Sequence, residues 1–170
     1  MSKKAKYSLL VTAIVLTMIA IDQALKLYIH YHFRVGESLD VFPSFRLCYV
    51  ENDGMAFGIE WFDKLALTSF RLLAVGILWV YLHKLVRQEH VRAGYLVSLA
   101  LITAGAAGNI VDCVLYGKLF GYAGWMYGRV VDMFSFSFFP PVFNVADSCI
   151  TCGVVAILLF FRHDLDESLK

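Results

Sequence analysis

Phe143-Asn144-Val145-Ala146-Asp147-Ser148 opens the last long apolar run of the chain, which continues to about Phe161. Moving a carboxylate toward the middle of a bilayer costs roughly 2.5–3.5 kcal/mol on insertion scales. A residue with only a structural task at position 147 would be apolar. Asn144 precedes Asp147 by three positions, so on a helix the two side chains share one face. An Asp–Asn pair at the mouth of a membrane helix is a candidate site, and its partners must come from elsewhere in the chain.

The composition places that helix in an integral membrane protein. The 170 residues are 59% hydrophobic and 17% charged, with a mean hydropathy of +0.66. Soluble domains run at about 45–50% apolar and about 25% charged. The net charge is +1 with no basic block, so nothing points to nucleic acid. Of the cysteines, Cys48, Cys113, Cys149 and Cys152, three lie in or beside apolar runs, which argues against a disulfide framework. Cys149-x-x-Cys152 has no second cysteine pair or nearby histidine, so it reads as packing, with no metal site or cofactor expected.

Apolar periods and breakers divide the chain into four spans at about residues 7–28, 65–85, 93–116 and 142–161, all in one domain over 1–170. The first follows Lys3, Lys4 and Lys6; it is long for a cleavable signal and carries Asp22, so it is expected to be retained. Between the first two spans, Phe45, Leu47 and Tyr49 alternate with Arg46, Cys48 and Val50, a weak strand signal, and Asn52-Asp53-Gly54 reads as a turn. Arg71, near the start of the second span, is expected to snorkel to the interface. The third span holds Gly105-Ala106-Ala107-Gly108, whose small side chains let another helix backbone come close. Between the last two spans, Tyr122, Trp125, Tyr127, Phe134, Phe136, Phe138 and Phe139 suit the headgroup zone. The expected fold is a membrane all-α, four-transmembrane-helix bundle with a small β-rich element on its outer face.

Lys3, Lys4, Lys6, Lys84, Arg87, Arg92 and Arg162 all fall on one side of this layout. By the positive-inside rule both termini face the cytoplasm and the two longer loops face outward. Asp22 then lies near the outer end of the first span, Asn109 and Asp112 near that of the third, and Asn144 and Asp147 in the first turns of the fourth. Three spans thus bring acids and amides to one depth. Polar bonds between membrane helices contribute about 0.6 kcal/mol each, and three aspartates at one level exceed what such bonding needs. Asp132, in an outer loop, joins them as a candidate because its flanks, Val130-Val131 and Met133-Phe134, are apolar.

These residues resemble the lipoprotein signal peptidase (signal peptidase II) family, aspartyl peptidases of the bacterial inner membrane. The resemblance rests on Asp22-Gln23 with Lys26, on Asn52-Asp53-Gly54-Met55-Ala56-Phe57-Gly58, and on Gly105-Ala106-Ala107-Gly108-Asn109-Ile110-Val111-Asp112. It continues through Val130-Val131-Asp132-Met133-Phe134 and Phe143-Asn144-Val145-Ala146-Asp147-Ser148, so it spans nearly the whole chain. It implies removal of signal peptides from prolipoproteins just before the diacylglyceryl-modified cysteine; no metal or cofactor is expected, and the chain is expected to be a monomer. Asp132 and Asp147 would be the catalytic pair. Asp22, Lys26, Asn52, Gly54, Phe57, Asn109, Asp112, Arg129, Asn144 and Ala146 would support them or line the substrate site. One departure stands out. The family commonly carries Arg directly after the third-span Asp, where this chain has Cys113; Arg129 and Lys26 are the cations expected to take its part.

Two carboxylates a few ångströms apart share a proton, which suits one to activate water and the other to protonate the carbonyl and the leaving amine. The segment around Phe57, between Ala56 and Gly58, is expected to close over the substrate. A proton-coupled transporter is the first alternative, but the inner halves of the spans are nearly free of charge. A serine peptidase using Ser148 or Ser98 with His30 or His32 is the second.

Overall fold

The computed structural model of the chain describes residues 2–53, 63–88 and 90–168. Among them, three helices are long and apolar enough to cross a membrane: α1 (Lys3–His32), α2 (Lys64–Val86) and the continuous helical stretch Ala93–Leu119. That last stretch is α3 (Ala93–Val111), a π-helical turn (Asp112–Tyr116) and a short closing turn, α4 (Gly117–Leu119). A further helix, α5 (Val145–Phe160), passes the same test only together with α6 (Arg162–Ser168), to which it is bent by 91°. The 142–161 expectation is therefore too long at its start. Val142 and Phe143 belong to a strand, and Asn144 is the N-cap of α5.

The π turn was not legible in the sequence. Such a turn offsets the helical hydrogen bonds and frees carbonyls, and π-bulges favour functional sites. Here the following loop folds back to meet them. Gly128 N–H donates to Cys113 O (2.8 Å), Met126 N–H to Val114 O (3.0 Å), and Ala123 N–H to Gly117 O (3.0 Å). Gly128 has to be glycine, because a Cβ there would collide with the Asp112 carbonyl oxygen.

The helix α3 is the centre of the bundle, packed against α1, α2 and α5. The small residues expected to admit a close helix do so. A Cβ on Gly105 would run into Ala146 O, and one on Gly108 would lie 2.9 Å from Asp22 Oδ2. These glycines therefore let the first turn of α5 press onto α3 and α1. Gly105→Val is expected to lower stability by about 1–3 kcal/mol, the usual cost of overpacking. Thermal unfolding in detergent, compared with the exposed control Gly76→Ala, reads that loss.

By contrast, α2 touches the bundle at its ends. Its buried residues are Thr68 at one end and Leu82, Leu85 and Val86 at the other. Thr68 Oγ1 donates to Met126 O (3.0 Å), while Leu82, Leu85 and Val86 join a core with Val11, Tyr95, Leu96 and Ala100. The middle of the helix stands off. Its outward side chains, Phe70, Leu73 and Ile77, are exposed and apolar, as lipid contact requires.

The extramembrane element is a four-stranded antiparallel sheet in the order β1 (Ser38–Phe42), β2 (Phe45–Asn52), β3 (Val130–Phe136), β4 (Phe139–Phe143). Only its β2 part carried an alternation signal. The run expected to be aromatic interface and loop supplies two strands, and Asp132 lies on β3. Opposite it, Leu47 pairs with Phe134 and Val50 with Asp132, so Cys48 and Tyr49 face Met133 as a bulge. Alternation along β3 then splits its side chains. Val131 and Met133 enter an apolar cluster with Ile29, Tyr49 and Tyr116, while Val130 and Asp132 face a cavity beside α2.

Candidate active site

Asp147 takes its position from the start of α5. Asn144 Oδ1 accepts from Asp147 N–H (2.8 Å) and Asp147 Oδ2 accepts from Asn144 N–H (3.3 Å), a reciprocal cap that fixes both side chains. The same Asn144 reaches β3. Its Nδ2 donates to Asp132 Oδ1 (2.7 Å), Asn109 Oδ1 (3.0 Å) and Val131 O (3.3 Å). Asn109 Nδ2 donates to Asp147 Oδ1 (2.8 Å), and Asn52 Nδ2 to Asp132 Oδ2 (3.2 Å). One buried asparagine thus contacts both carboxylates, and a further amide supports each.

Behind this pair lies a buried ionic group. Lys26 Nζ is 2.8 Å from Asp22 Oδ2, 2.8 Å from Asp112 Oδ2 and 2.9 Å from Asn109 Oδ1. Three donors meet three acceptors, which matches an ammonium group. Both acids also hold backbone. Asp22 Oδ1 accepts from Ala146 N–H (2.9 Å), one of the open amides at the start of α5, and Asp112 Oδ2 accepts from Val131 N–H (3.1 Å) beside Asp132. Gln23 closes the group, its Nε2 donating to Asp112 Oδ1 (2.8 Å) and its Oε1 accepting from Tyr116 (3.0 Å). Gln23 follows Asp22 in the sequence but was not singled out as a site residue.

Asp132 is 3% exposed. Burial, and then the charge of Asp147, push its carboxyl up to about 7, against the pull of hydrogen bonds from Asn52 and Asn144. The pair opens on a cavity of about 410 Å³ between α2 and the α3–α5 pair. Asn52, Asn109 and both aspartates line it, while Ala74, Leu78, Ala106 and Ile150 give it apolar walls.

The structure therefore brings together Asp22, Lys26, Asn52, Asn109, Asp112, Asp132, Asn144, Ala146 and Asp147. Gly54 and Phe57, with the expected closing segment, lie outside the described residues. Arg129 turns to the surface, where it pairs with Glu51 (3.0 Å) and Asp53 (3.2 Å) and lies over the Tyr122 ring. Arg71 departs from expectation in the other direction. It lines the cavity, and its Nη1 lies 3.5 Å from Cys113 Sγ. The signal for it was the departure at Cys113, which left room for a cation on the facing helix.

Among the described residues the serine alternative finds no base, and His32 Nδ1 meets Tyr28 O. Ser148 Oγ donates to Asn144 O, Ser98 Oγ donates to Gly94 O, and His30 meets Tyr49 OH while stacking on Phe120. All four cysteines are free thiols, with Cys149 buried and Cys152 exposed.

Comparison with known proteins converges on the same chemistry. Residues 14–162 match the family described as signal peptidase (SPase) II. The lipoprotein signal peptidase of Porphyromonas gingivalis is 37% identical over 185 positions, covering 89% of this chain and 82% of that protein. That of Streptococcus pneumoniae is 37% identical over 155 positions, covering 88% and 90%. A bacterial membrane enzyme solved by the in meso method at 2.3 Å superposes with a TM-score of 0.73 at 27% identity, covering 92% of this chain and 90% of that one. The chain belongs to the signal peptidase II family, multi-pass membrane aspartic peptidases that remove the signal peptides of prolipoproteins.

Proposed function

We propose that Asp132 and Asp147 are the catalytic dyad, and that the bond cut is the one just before a diacylglyceryl-modified cysteine. The observation that carries this reading is Asn144, which contacts both carboxylates at the polar mouth of an apolar-walled cavity. In the resting state Asp132 holds the shared proton, since burial and its neighbour's charge favour its neutral form. Asp147 receives donors from Asn109 and from the backbone of Asn144 at the positive end of α5. It takes a proton from water as that water attacks the scissile carbonyl, while Asp132 donates its proton to the carbonyl oxygen. As the tetrahedral intermediate collapses and the C–N bond breaks, Asp147 passes its proton to the leaving amine and a gem-diol proton returns to Asp132. Asp22, Lys26, Gln23 and Asp112 keep α5 and β3 in register and touch no reacting atom.

Substrate geometry supports the same reading. The polar mouth suits a peptide bond at the outer interface, and the apolar walls suit acyl chains entering from lipid. In this reading the chain is a single domain of four spans in a bacterial inner membrane with both termini in the cytoplasm, which the basic residues at the opposite end of the spans support. The enzyme acts, in this reading, as a monomer.

The test is cleavage of a diacylglyceryl-modified prolipoprotein by the purified protein in lipid, with the product masses locating the bond. Cutting at any bond other than the one before the lipidated cysteine defeats the reading. A pH profile adds a second check. The reaction needs one protonated acid, so kcat/KM is expected to fall on the alkaline side with an apparent pKa of about 7 that belongs to the pair. A profile flat from neutrality to pH 9 would contradict a shared proton.

A further inference from the structure

The cavity wall formed by α2 consists of Arg71, Ala74, Val75 and Leu78. Offsets of three, four and seven put these on one helical stripe, with Arg71 at the end toward Lys64 and Leu78 two turns further along α2. The contact of Nη1 with Cys113 Sγ at 3.5 Å sets the guanidinium beside the π turn, in a cavity lined by both the carboxylates and the apolar residues. A guanidinium is permanently charged and donates in a planar fork.

The electrostatics of the cavity restrict what that fork can meet in a ligand. An anionic group would face Asp132 and Asp147 across the same space, and a cationic one would face Arg71 itself. A neutral acceptor, a carbonyl oxygen, meets neither objection. We propose that Arg71 is a substrate-binding residue that donates to a carbonyl oxygen of the lipidated peptide, where its polar part joins its acyl chains. This rests on the reading above that a diacylglyceryl peptide occupies the cavity. Two carbonyl types lie near that junction: the peptide carbonyls beside the scissile bond and the ester carbonyls of the glyceryl group. Ala74, Val75 and Leu78, below the guanidinium, would lie along an alkyl chain from either.

The test compares wild type and Arg71→Gln in lipid, on a diacylglyceryl peptide and on the same peptide with ether-linked chains that lack ester carbonyls. On the diacyl peptide Arg71→Gln is expected to raise KM about 10- to 100-fold, the worth of a hydrogen bond from a charged donor, with kcat within about threefold. If an ester carbonyl is the acceptor, the ether peptide raises the wild-type KM and abolishes the difference between the two proteins. If a peptide carbonyl is the acceptor, the variant loses the same factor on both. Unchanged KM for a folded variant on both peptides overturns the inference, as does a fall in kcat alone, which would mean that Arg71 acts on the acids. Should Arg71→Gln fail to fold, Arg71→Ala with Cys113→Arg carries the test, because it brings a guanidinium to the same place from the facing helix. Wild-type KM then supports the inference and a raised KM overturns it. A wild type that leaves the diacyl peptide uncut instead defeats the reading on which the inference rests.

Discussion

Asparagine in place of Asp147 or Asp132 is expected to leave a folded protein whose cleavage rate is down by about a thousandfold or more. In the proposed mechanism each acid carries its own proton transfer, and general acid–base groups contribute about 10²- to 10⁴-fold apiece. The double variant should be little worse than either single one, because the two groups work as a unit. Asparagine keeps the shape of the side chain, and its carbonyl oxygen can still accept from Asn144 N–H in the cap of α5. The stability of Asp132→Asn provides an independent check. Raised to about 7, Asp132 holds its proton more tightly folded than unfolded, so the stability it contributes is present at low pH and lost as pH rises through that value. The amide has no proton to lose. The melting temperature of Asp132→Asn should therefore gain on wild type above neutrality, and the gap should close toward pH 4. Cleavage persisting in either folded variant would remove the dyad. A melting gap that does not change with pH would remove the account of Asp132.

That pairing was only half legible in the sequence, for a physical reason. Helix direction and the rise per residue convert sequence position into depth, so Asp22, Asn109, Asp112 and Asp147 could be placed at one level from their spans alone. Asp132 could not. Its position depends on β3 pairing with β2, where Val50 stands opposite Asp132 although the two are far apart in the chain, and on a bulge at Cys48–Tyr49 that no local pattern announces. The Val130–Phe136 run is rich in β-branched and aromatic residues, but beside membrane spans these also suit an interface, and that reading prevailed. Asn144 shows the same limit on a smaller scale. Apolar Val142 and Phe143 continue the hydropathy of the helix, so only the backbone reveals that they are strand and that Asn144 is a cap. Arg71 was misplaced because hydropathy gives its depth, whereas the direction it faces depends on how α2 leans on α3.

Lys26→Met is expected to be the most destabilising single change outside the dyad, costing about 3–5 kcal/mol as the removal of one partner from a buried ion pair does. Lys26 and Asp112 are 0% exposed and Asp22 is 1% exposed, so the variant would leave two buried carboxylates with no cation between them. Protonating one acid relieves the charge but turns an acceptor into a donor. That weakens either the Asp22 bond to Ala146 N–H, which holds α5, or the Asp112 bond to Val131 N–H, which holds β3. These two segments carry Asp147 and Asp132, so loss of Lys26 should lower kcat even at temperatures where the protein stays folded. Arginine should not rescue, because a planar fork cannot replace the three-way contact of an ammonium in a closed site. Removing one acid as well should help. Asp22→Asn with Lys26→Met restores the original net charge of the group, so its melting temperature should exceed that of Lys26→Met alone, a coupling that a double-mutant cycle detects. If Lys26→Met melts with wild type, the buried triad does not hold together the segments that carry Asp132 and Asp147.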